Sequence, residues 1–232
     1  MNSGCHPETF LYSKKYTRHG VNRVGEGKNG QVFVGCTRKS CREMVAIKRS
    51  RLDMTDEYAT LKRAYKADPK HIPKPYGLKQ CGSNSGESLM YYQYIPSVTL
   101  VNYKKISKKM LYELLLTVYK LNKAGIRHGD LHLNNILIEK GTGRPYITDF
   151  GRASNNKNSK FDYHLLLNIL YNRLKKSSSV RVFIGEMIPQ RYLAQNSSRT
   201  RRFRLCNNSN HSGLPSLREV LVRLKFNISK YK

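Results

Sequence analysis

Acidic residues are scarce in this chain, which carries 15 Asp and Glu against 43 Lys and Arg, for a formal net charge of +28. A solvated basic surface would account for the excess by itself. The alternative is a surface that attracts a polyanion, such as nucleic acid, an acidic protein or an anionic membrane face. Because acids are few, each Asp or Glu that lies within a motif carries more weight than usual.

Paired cysteines and long apolar runs are also missing. The five cysteines are scattered and form no C-x-x-C pair, which argues against a disulfide framework or a zinc site and fits a reducing compartment. No stretch approaches 18 apolar residues, and the first residues contain no apolar core, so we expect neither a membrane span nor a cleaved secretory signal. We therefore expect a cytoplasmic protein, and secretion by a route without such a signal stays open.

The residue pattern changes along the chain from β-rich to helical. One domain of two lobes suits 232 residues. The predicted parts are a polar and aromatic arm at 1–20, a β-rich N-lobe at 21–95 and a helical C-lobe at 96–232. Apolar periodicity predicts helices at 56–67 with Thr55 as cap, at 111–121, at 161–174 and from Pro215 onward. A basic cluster occupies 199–204.

Glycines recur near the start in the pattern G-x-G-x-x-G-x-V, formed by Gly25, Gly27, Gly30 and Val32. Such glycines let backbone amides approach phosphate groups. A dinucleotide-binding fold uses the same glycines, but there a helix must follow them. Here the β-rich run Val-Phe-Val follows, so a hairpin over phosphates is the preferred interpretation and a plain hairpin turn is the alternative.

A short apolar strand, Met-Val-Ala-Ile-Lys, ends at Lys48. A lysine in this place can reach the α- and β-phosphates of ATP, whereas an edge-strand lysine kept for solubility is the alternative. Glu57, in the first turn of the next predicted helix, faces the direction needed to pair with Lys48. Complementing the helix dipole would be its simpler role. We prefer the pairing, because Leu61 one turn later supplies a buried face.

The most informative stretch places Asp130 and Asn135 five residues apart between apolar segments. A second acid, Asp149, follows in the sequence Asp-Phe-Gly. One acid to take a proton, with an amide and a second acid to hold a metal, is what phosphoryl transfer from Mg-ATP requires.

These motifs, in this order, resemble those of the protein kinase superfamily: a Gly-rich loop, Val-Ala-Ile-Lys, His-Gly-Asp-Leu-x-x-x-Asn and Asp-Phe-Gly. The resemblance covers about residues 20–175. It implies an α+β, bilobal fold with a β-rich N-lobe, a reduced helical C-lobe and a short activation segment. It also implies ATP and Mg²⁺ as cofactors, with Mn²⁺ as an alternative metal.

The resemblance implies a nucleotide site whose members all contact ATP. They are Gly25, Gly27 and Gly30 over the phosphates, Val32 and Ala46 above the adenine, Leu137 below it, Gln93 and Ile95 at the hinge, and Lys48 at the phosphates. It also implies a catalytic set that acts on the reacting groups. These residues are Asp130 at the substrate hydroxyl, His132 beside it, Glu57 paired with Lys48, and Asn135 and Asp149 on the metal. His128, Phe150 and Leu61 would stack as an internal spine, and Asp162 would bond back to the catalytic loop.

Two departures from the superfamily pattern lie inside the catalytic loop. Gly129 stands where many kinases carry an Arg that binds a phosphate on the activation loop, which predicts activity without such phosphorylation. His132 stands where Ser/Thr kinases usually carry Lys, and the loop is close to that of aminoglycoside and choline-type kinases. No Ala-Pro-Glu motif follows, and only residues 152–161 separate Gly151 from Asp162.

The preferred function is a constitutively active Ser/Thr protein kinase that resembles the compact kinases of large DNA viruses and bacterial effectors. It would be a monomer in the host cytoplasm, or in a virion or as a secreted effector, and would act on an acidic protein or nucleoprotein. The alternatives are a small-molecule phosphotransferase and a non-catalytic, basic polyanion-binding module.

Overall fold

A computed structural model of the chain describes residues 22–27, 30–36, 44–81, 87–156, 160–193 and 213–229. These residues divide into two compact units. The first unit contains the described residues up to Pro96 together with Asp149–Gly151, and the second contains Ser97–Thr148 and the described residues from Arg152 onward. The predicted arm and the basic cluster at 199–204 lie outside the described residues.

An antiparallel sheet and a helix make up the first unit. The strands lie in the order β1-β2-β3-β5-β4. Their bounds, with that of the helix, are β1 Asn22–Gly27, β2 Gly30–Cys36, β3 Met44–Ser50, α1 Thr55–Ala67, β4 Pro75–Cys81 and β5 Glu87–Gln93. Strand β3 has a hydrogen-bonded neighbour on each side and is largely buried, as its apolar sequence predicts. Phe33, Val45, Ile47 and Leu89 form the core of this sheet.

Two local expectations for the first unit are wrong. Cys81, at the end of β4, is buried and disulfide-bonded, so the argument for a reducing compartment loses support. Spacing along the sequence does not report which cysteines a fold brings within bonding distance. Thr55 is the first helical residue of α1 and not its cap. Asp53 accepts hydrogen bonds from the amide and hydroxyl of Thr55, at 2.8 and 2.6 Å, and these bonds lower the pKa of Asp53.

The second unit contains short strands and helices. Their bounds are β6 Ser97–Thr99, α2 Lys108–Lys123, β7 Ile126–Arg127, β8 Ile136–Glu139, β9 Pro145–Ile147, β10 Ser154–Asn155, α3 Phe161–Arg173, α4 Ser179–Met187 and α5 Leu217–Ser229. Strands β6, β8 and β9 form one small sheet, and β7 pairs with β10 in another. The predicted apolar face of α2 is buried, and the helix extends past the prediction because the Ser107 hydroxyl caps it by accepting from the Met110 amide.

Two helices near the end of the chain differ from the sequence prediction. Helix α4 was not predicted, although its buried residues Val180, Phe183, Ile184 and Met187 have helical spacing. Helix α5 begins at Leu217, later than expected, because Ser216 and Glu219 cap it through reciprocal hydrogen bonds.

The predicted α+β class, with a β-rich first part and a helical second part, is confirmed. Within the described ranges, no helix combines the length and apolar character that crossing a membrane requires.

Candidate active site

A cluster of one lysine and two carboxylates lies in the first unit. The Lys48 Nζ donates to Glu57 Oε1 at 2.7 Å and Oε2 at 3.0 Å, and to Asp149 Oδ1 at 2.9 Å. The side chains of Lys48 and Glu57 are 9% and 10% exposed, whereas that of Asp149 is 43% exposed. The pair expected between Lys48 and Glu57 is therefore present, and Asp149 joins it with part of its carboxylate facing solvent.

Each member of this cluster is placed by a different element. Lys48 lies in the buried strand β3, opposite Val32 on one side and Met90 on the other. Glu57 lies in the first turn of α1, one turn before the buried Leu61. Asp149 has a φ of 65°, and among the described non-glycine residues no other has a positive φ. Such backbone strain is concentrated at functional sites.

Burial and charge act against each other on Lys48. Desolvation, the largest single effect, lowers the pKa of Lys48, but Glu57 and Asp149 together raise it further, so the net direction is upward. Tyr92 lies near the same carboxylates, and burial, then Glu57 and Asp149, raises the pKa of its hydroxyl. Lys48 is thus held as a cation and Tyr92 as a neutral phenol.

The glycine-rich segment forms the ends of β1 and β2, where Gly25 is opposite Val32 and Gly27 is opposite Gly30. Gly30 has a φ of 148°, and a Cβ there would overlap the backbone oxygen of Arg49, so this position requires glycine. A Cβ at Gly27 would meet nothing within 4 Å. The predicted hairpin is present, and its two central residues, 28 and 29, lie outside the described part.

The predicted adenine residues lie on or just after four strands, with Val32 on β2 and the others on or after β3, β5 and β8. Ala46 is buried and opposite Tyr92, and Ile95 is buried just after β5. Gln93 ends β5. Its backbone amide donates to the backbone oxygen of Lys74 at 2.8 Å and so already has a hydrogen-bond acceptor. Leu137, in the second unit, is half-buried in β8.

The catalytic-loop motif in the second unit is held by backbone hydrogen bonds. Asp162, at the start of α3 and 1% exposed, accepts from the His128 amide at 2.7 Å and from the Gly129 amide at 2.9 Å. The buried His128 ring bonds the Thr148 oxygen through Nε2 at 3.0 Å. Asp162 therefore bonds back to the loop, as the resemblance implied.

Asp130 follows this anchored turn and faces two basic side chains. Its Oδ2 lies 3.7 Å from His132 Nε2 and 3.8 Å from Arg152 Nε. Asn135, which is 7% exposed, donates from Nδ2 to the backbone oxygen of Asp130 at 3.0 Å. This bond fixes the amide, so its Oδ1 is the atom suited to a metal.

Gly129 has a φ of 79°, and a Cβ there would overlap the backbone oxygen of Arg152. Any side chain at this position, including Arg, would have to displace the residues after Asp-Phe-Gly. The position predicted to lack a phosphate-binding arginine is thus also a position where the backbone leaves room only for glycine.

Comparison with known proteins places these motifs in a family. Residues 18–172 match the family model described as protein kinase domain. The chain belongs to the protein kinase family. Similar to it are "Cell division control protein 2 homolog D" of Antirrhinum majus, 26% identical over 154 residues, and "Cyclin-dependent kinase B2-1" of Oryza sativa subsp. japonica, 27% identical over 152 residues. The matches cover 57% and 56% of this chain but 49% and 46% of those proteins, so the chain spans about half the length of the curated relatives that it matches.

Membership of the kinase family implies ATP and a divalent cation, and the residues present fit both. The resemblance implies Asp149, in the first unit, and Asn135, in the second, for the cation, and carboxylate and amide oxygens are the donors that a hard cation prefers. Among the described residues no group of three or more His, Cys, Asp and Glu is arranged to hold a metal.

Two residues near the kinase motifs were missed at the sequence level. Arg152 directly follows Asp-Phe-Gly and lies beside Asp130. Tyr92 lies opposite Ala46 and near the carboxylates of the Lys48 cluster. The pairing of β3 with β5 could have located Tyr92. For Arg152 the signal was its adjacency to the motif.

Proposed function

We propose that this kinase domain transfers the γ-phosphoryl group of ATP to Ser or Thr hydroxyls of proteins. The observation that supports this proposal most is the cluster in which Lys48 donates to both Glu57 and Asp149. It gives Lys48 a fixed charge and position, as an electrostatic contact to the α- and β-phosphates requires. The names of the two relatives, a cell division control protein homologue and a cyclin-dependent kinase, support the Ser/Thr assignment.

In this proposal each motif residue has one task. Asn135 and Asp149 hold Mg²⁺, or Mn²⁺, which neutralises phosphate charge when bound. Asp130 accepts or orients the proton of the substrate hydroxyl. The glycines of β1 and β2 cover the phosphates, and the adenine residues are Val32, Ala46, Gln93, Ile95 and Leu137. His132 assists at the acceptor side, 3.7 Å from Asp130.

The kinase is proposed to be active without activation-segment phosphorylation. Lys48 and Glu57 are already paired at 2.7 Å. Gly129 has no side chain with which to bind a phosphate, and a larger residue there would overlap Arg152. Only residues 152–161 separate Gly151 from Asp162.

Labelled ATP with a mixture of host-cell proteins tests this function. We expect the wild type to label proteins on Ser and Thr, and the variants Asp149→Ala and Asp130→Ala to lose at least about a hundredfold in rate. Phosphosite mass spectrometry of cells expressing wild type or Asp149→Ala would then identify substrates. Equal labelling by the wild type and both variants would contradict the proposal.

A small-molecule phosphotransferase is the second candidate, favoured by His132 and the short segment after Asp-Phe-Gly. ATP turnover above background with aminoglycosides or choline analogues, without protein labelling, would favour it. A non-catalytic basic module is the third, and it predicts nucleic-acid binding that depends steeply on salt and is unchanged in Lys48→Ala.

Origin and partners form the finer part of the proposal. The short segment between Gly151 and Asp162, which resembles that of compact viral and effector kinases, supports a monomeric, pathogen-encoded kinase acting in the host cytoplasm, carried in a virion or secreted as an effector. The charge of +28 supports an acidic protein or a nucleoprotein as substrate.

A further inference from the structure

Arg152 lies beside the carboxylate that we assign to the acceptor hydroxyl. Its Nε is 3.8 Å from Asp130 Oδ2, and its side chain is 51% exposed against 14% for Asp130. A separation of 3.8 Å is too long for a hydrogen bond and leaves a weak, partly screened attraction. The Arg152 guanidinium therefore lies next to Asp130 without donating a hydrogen bond to it from Nε.

The backbone at Arg152 and just after it is fixed by several contacts. Its carbonyl oxygen fills the space that a Cβ at Gly129 would need. Two residues later β10 pairs with β7, with Ser154 opposite Arg127, and the Asn156 amide donates to the Gly125 oxygen at 3.0 Å. The Arg152 side chain thus begins from a defined point next to the catalytic loop.

A second arginine near this segment, in β7, has a different role. Arg127 in β7 places its guanidinium carbon 4.1 Å from the centroid of the Phe161 ring, a cation–π contact at the start of α3. Arg152 instead directs a half-exposed guanidinium toward the carboxylate of Asp130.

The chemistry of a guanidinium then defines what it can bind. It presents five N–H donors in a planar fork that matches a carboxylate or a phosphate, and it stays charged at all relevant pH values. At 3.8 Å Asp130 engages one edge of the fork, through Nε. The donors on the other edge suit a second anion close to the acceptor hydroxyl.

We propose that Arg152 is a specificity-determining residue that binds a carboxylate or phosphate group of the protein substrate next to the acceptor Ser or Thr. This inference rests on the proposed function and adds the substrate class: acidic or already phosphorylated acceptor sequences. The charge of +28 would attract such substrates from a distance, whereas Arg152 would select the local sequence.

A positional peptide library tests the assignment. Each peptide has a central Ser and one neighbouring position occupied by Asp, phosphoserine or Asn, so the first two arms separate carboxylate from phosphate. For the wild type we expect kcat/KM to be about tenfold to a hundredfold higher for an acidic neighbour than for Asn at one position or more. In Arg152→Ala this ratio falls toward one, while kcat/KM for the Asn peptides changes much less.

Two further variants complete the experiment. Arg152→Lys keeps the charge without the fork and should retain an intermediate ratio, with a larger loss on phosphoserine than on Asp. Arg51→Ala removes an exposed arginine of the first unit and should keep the wild-type ratio.

The outcomes separate this inference from the proposed function. A wild type that phosphorylates peptides without preferring acidic neighbours overturns the Arg152 assignment alone. An equal loss by Arg152→Ala on acidic and Asn peptides also overturns it, because it would mean that Arg152 only positions Asp130. No phosphorylation of any peptide or protein would remove the proposed function and this assignment with it.

Discussion

The two units hold their key side chains by different means. In the first unit, Lys48, Glu57 and Asp149 are fixed by charge, through contacts of 2.7 to 3.0 Å between side chains of three elements. In the second unit, the turn before Asp130 is fixed through its backbone, because Asp162 accepts two amides. Asp130 itself lies 3.7 and 3.8 Å from its basic neighbours.

This difference matches what the two sets of residues are proposed to do. In the proposed function Lys48 would contact phosphates that keep their charge, and a rigid, paired cation suits that task. In the proposed function Asp130 would meet the proton of an incoming hydroxyl, and its Oδ2 lies 3.7 Å from His132 Nε2 and 3.8 Å from Arg152 Nε. Anchoring the loop through the backbone amides of residues 128 and 129 positions Asp130, which follows directly in the chain.

The largest effect should come from breaking the backbone anchor. Asp162→Ala leaves the buried His128 amide and the part-buried Gly129 amide without their acceptor, and we expect a loss of about 3 to 5 kcal/mol in the free energy of unfolding. Asp162→Asn keeps one acceptor oxygen and should lose less. Urea unfolding followed by circular dichroism measures both, and equal stability of Asp162→Ala and wild type would contradict the anchoring role.

A smaller effect should come from the charge cluster. Glu57→Gln removes a carboxylate that raises the pKa of Lys48 and leaves the desolvation that lowers it, so the pKa should fall. We expect kcat/KM to drop by about tenfold to a hundredfold at neutral pH. The decline of activity on the alkaline side should begin at lower pH than in the wild type.

Asp56→Asn is the matched control, since Asp56 is an exposed acid in the same first turn of α1. Its pH–rate profile should follow that of the wild type. A Glu57→Gln profile with an unmoved alkaline side would mean that Lys48 does not control it.

The smallest effect on stability should come from alanine substitutions at two glycines, which separate steric crowding from backbone strain. Gly129 and Gly141 both have positive φ, 79° and 87°, but a Cβ at Gly141 meets nothing within 4 Å. Alanine at either position incurs the strain of positive φ, of order 1 kcal/mol, and only at Gly129 does it also overlap Arg152. Thermal unfolding should therefore show a larger loss for Gly129→Ala, and equal losses would argue against the close contact.

Motif spacing predicted local contacts because each motif is local, and the roles assigned to the site residues stay predictions. Lys48 and Glu57 were paired from strand and helix direction, and the pair is present at 2.7 Å. What spacing did not predict depends on the folded chain. Arg152 reaches Asp130 only because the backbone after Gly151 packs against Gly129.

Other differences have equally physical origins. The disulfide at Cys81 depends on tertiary proximity, which scattered cysteines do not reveal. The start of α1 moved by one residue because Asp53, outside the helix, bonds Thr55. Helix α4 had a detectable apolar period, but the polar and serine-rich residues before it favoured a loop.

The contact between Gly129 and Arg152 also has an evolutionary consequence. A glycine codon can become an arginine codon through a single base change, so a phosphate-binding arginine at position 129 is always one mutation away. The carbonyl oxygen of Arg152 stands in its path. A lineage carrying this sequence would need to rebuild the segment after Asp-Phe-Gly before that substitution could be accommodated.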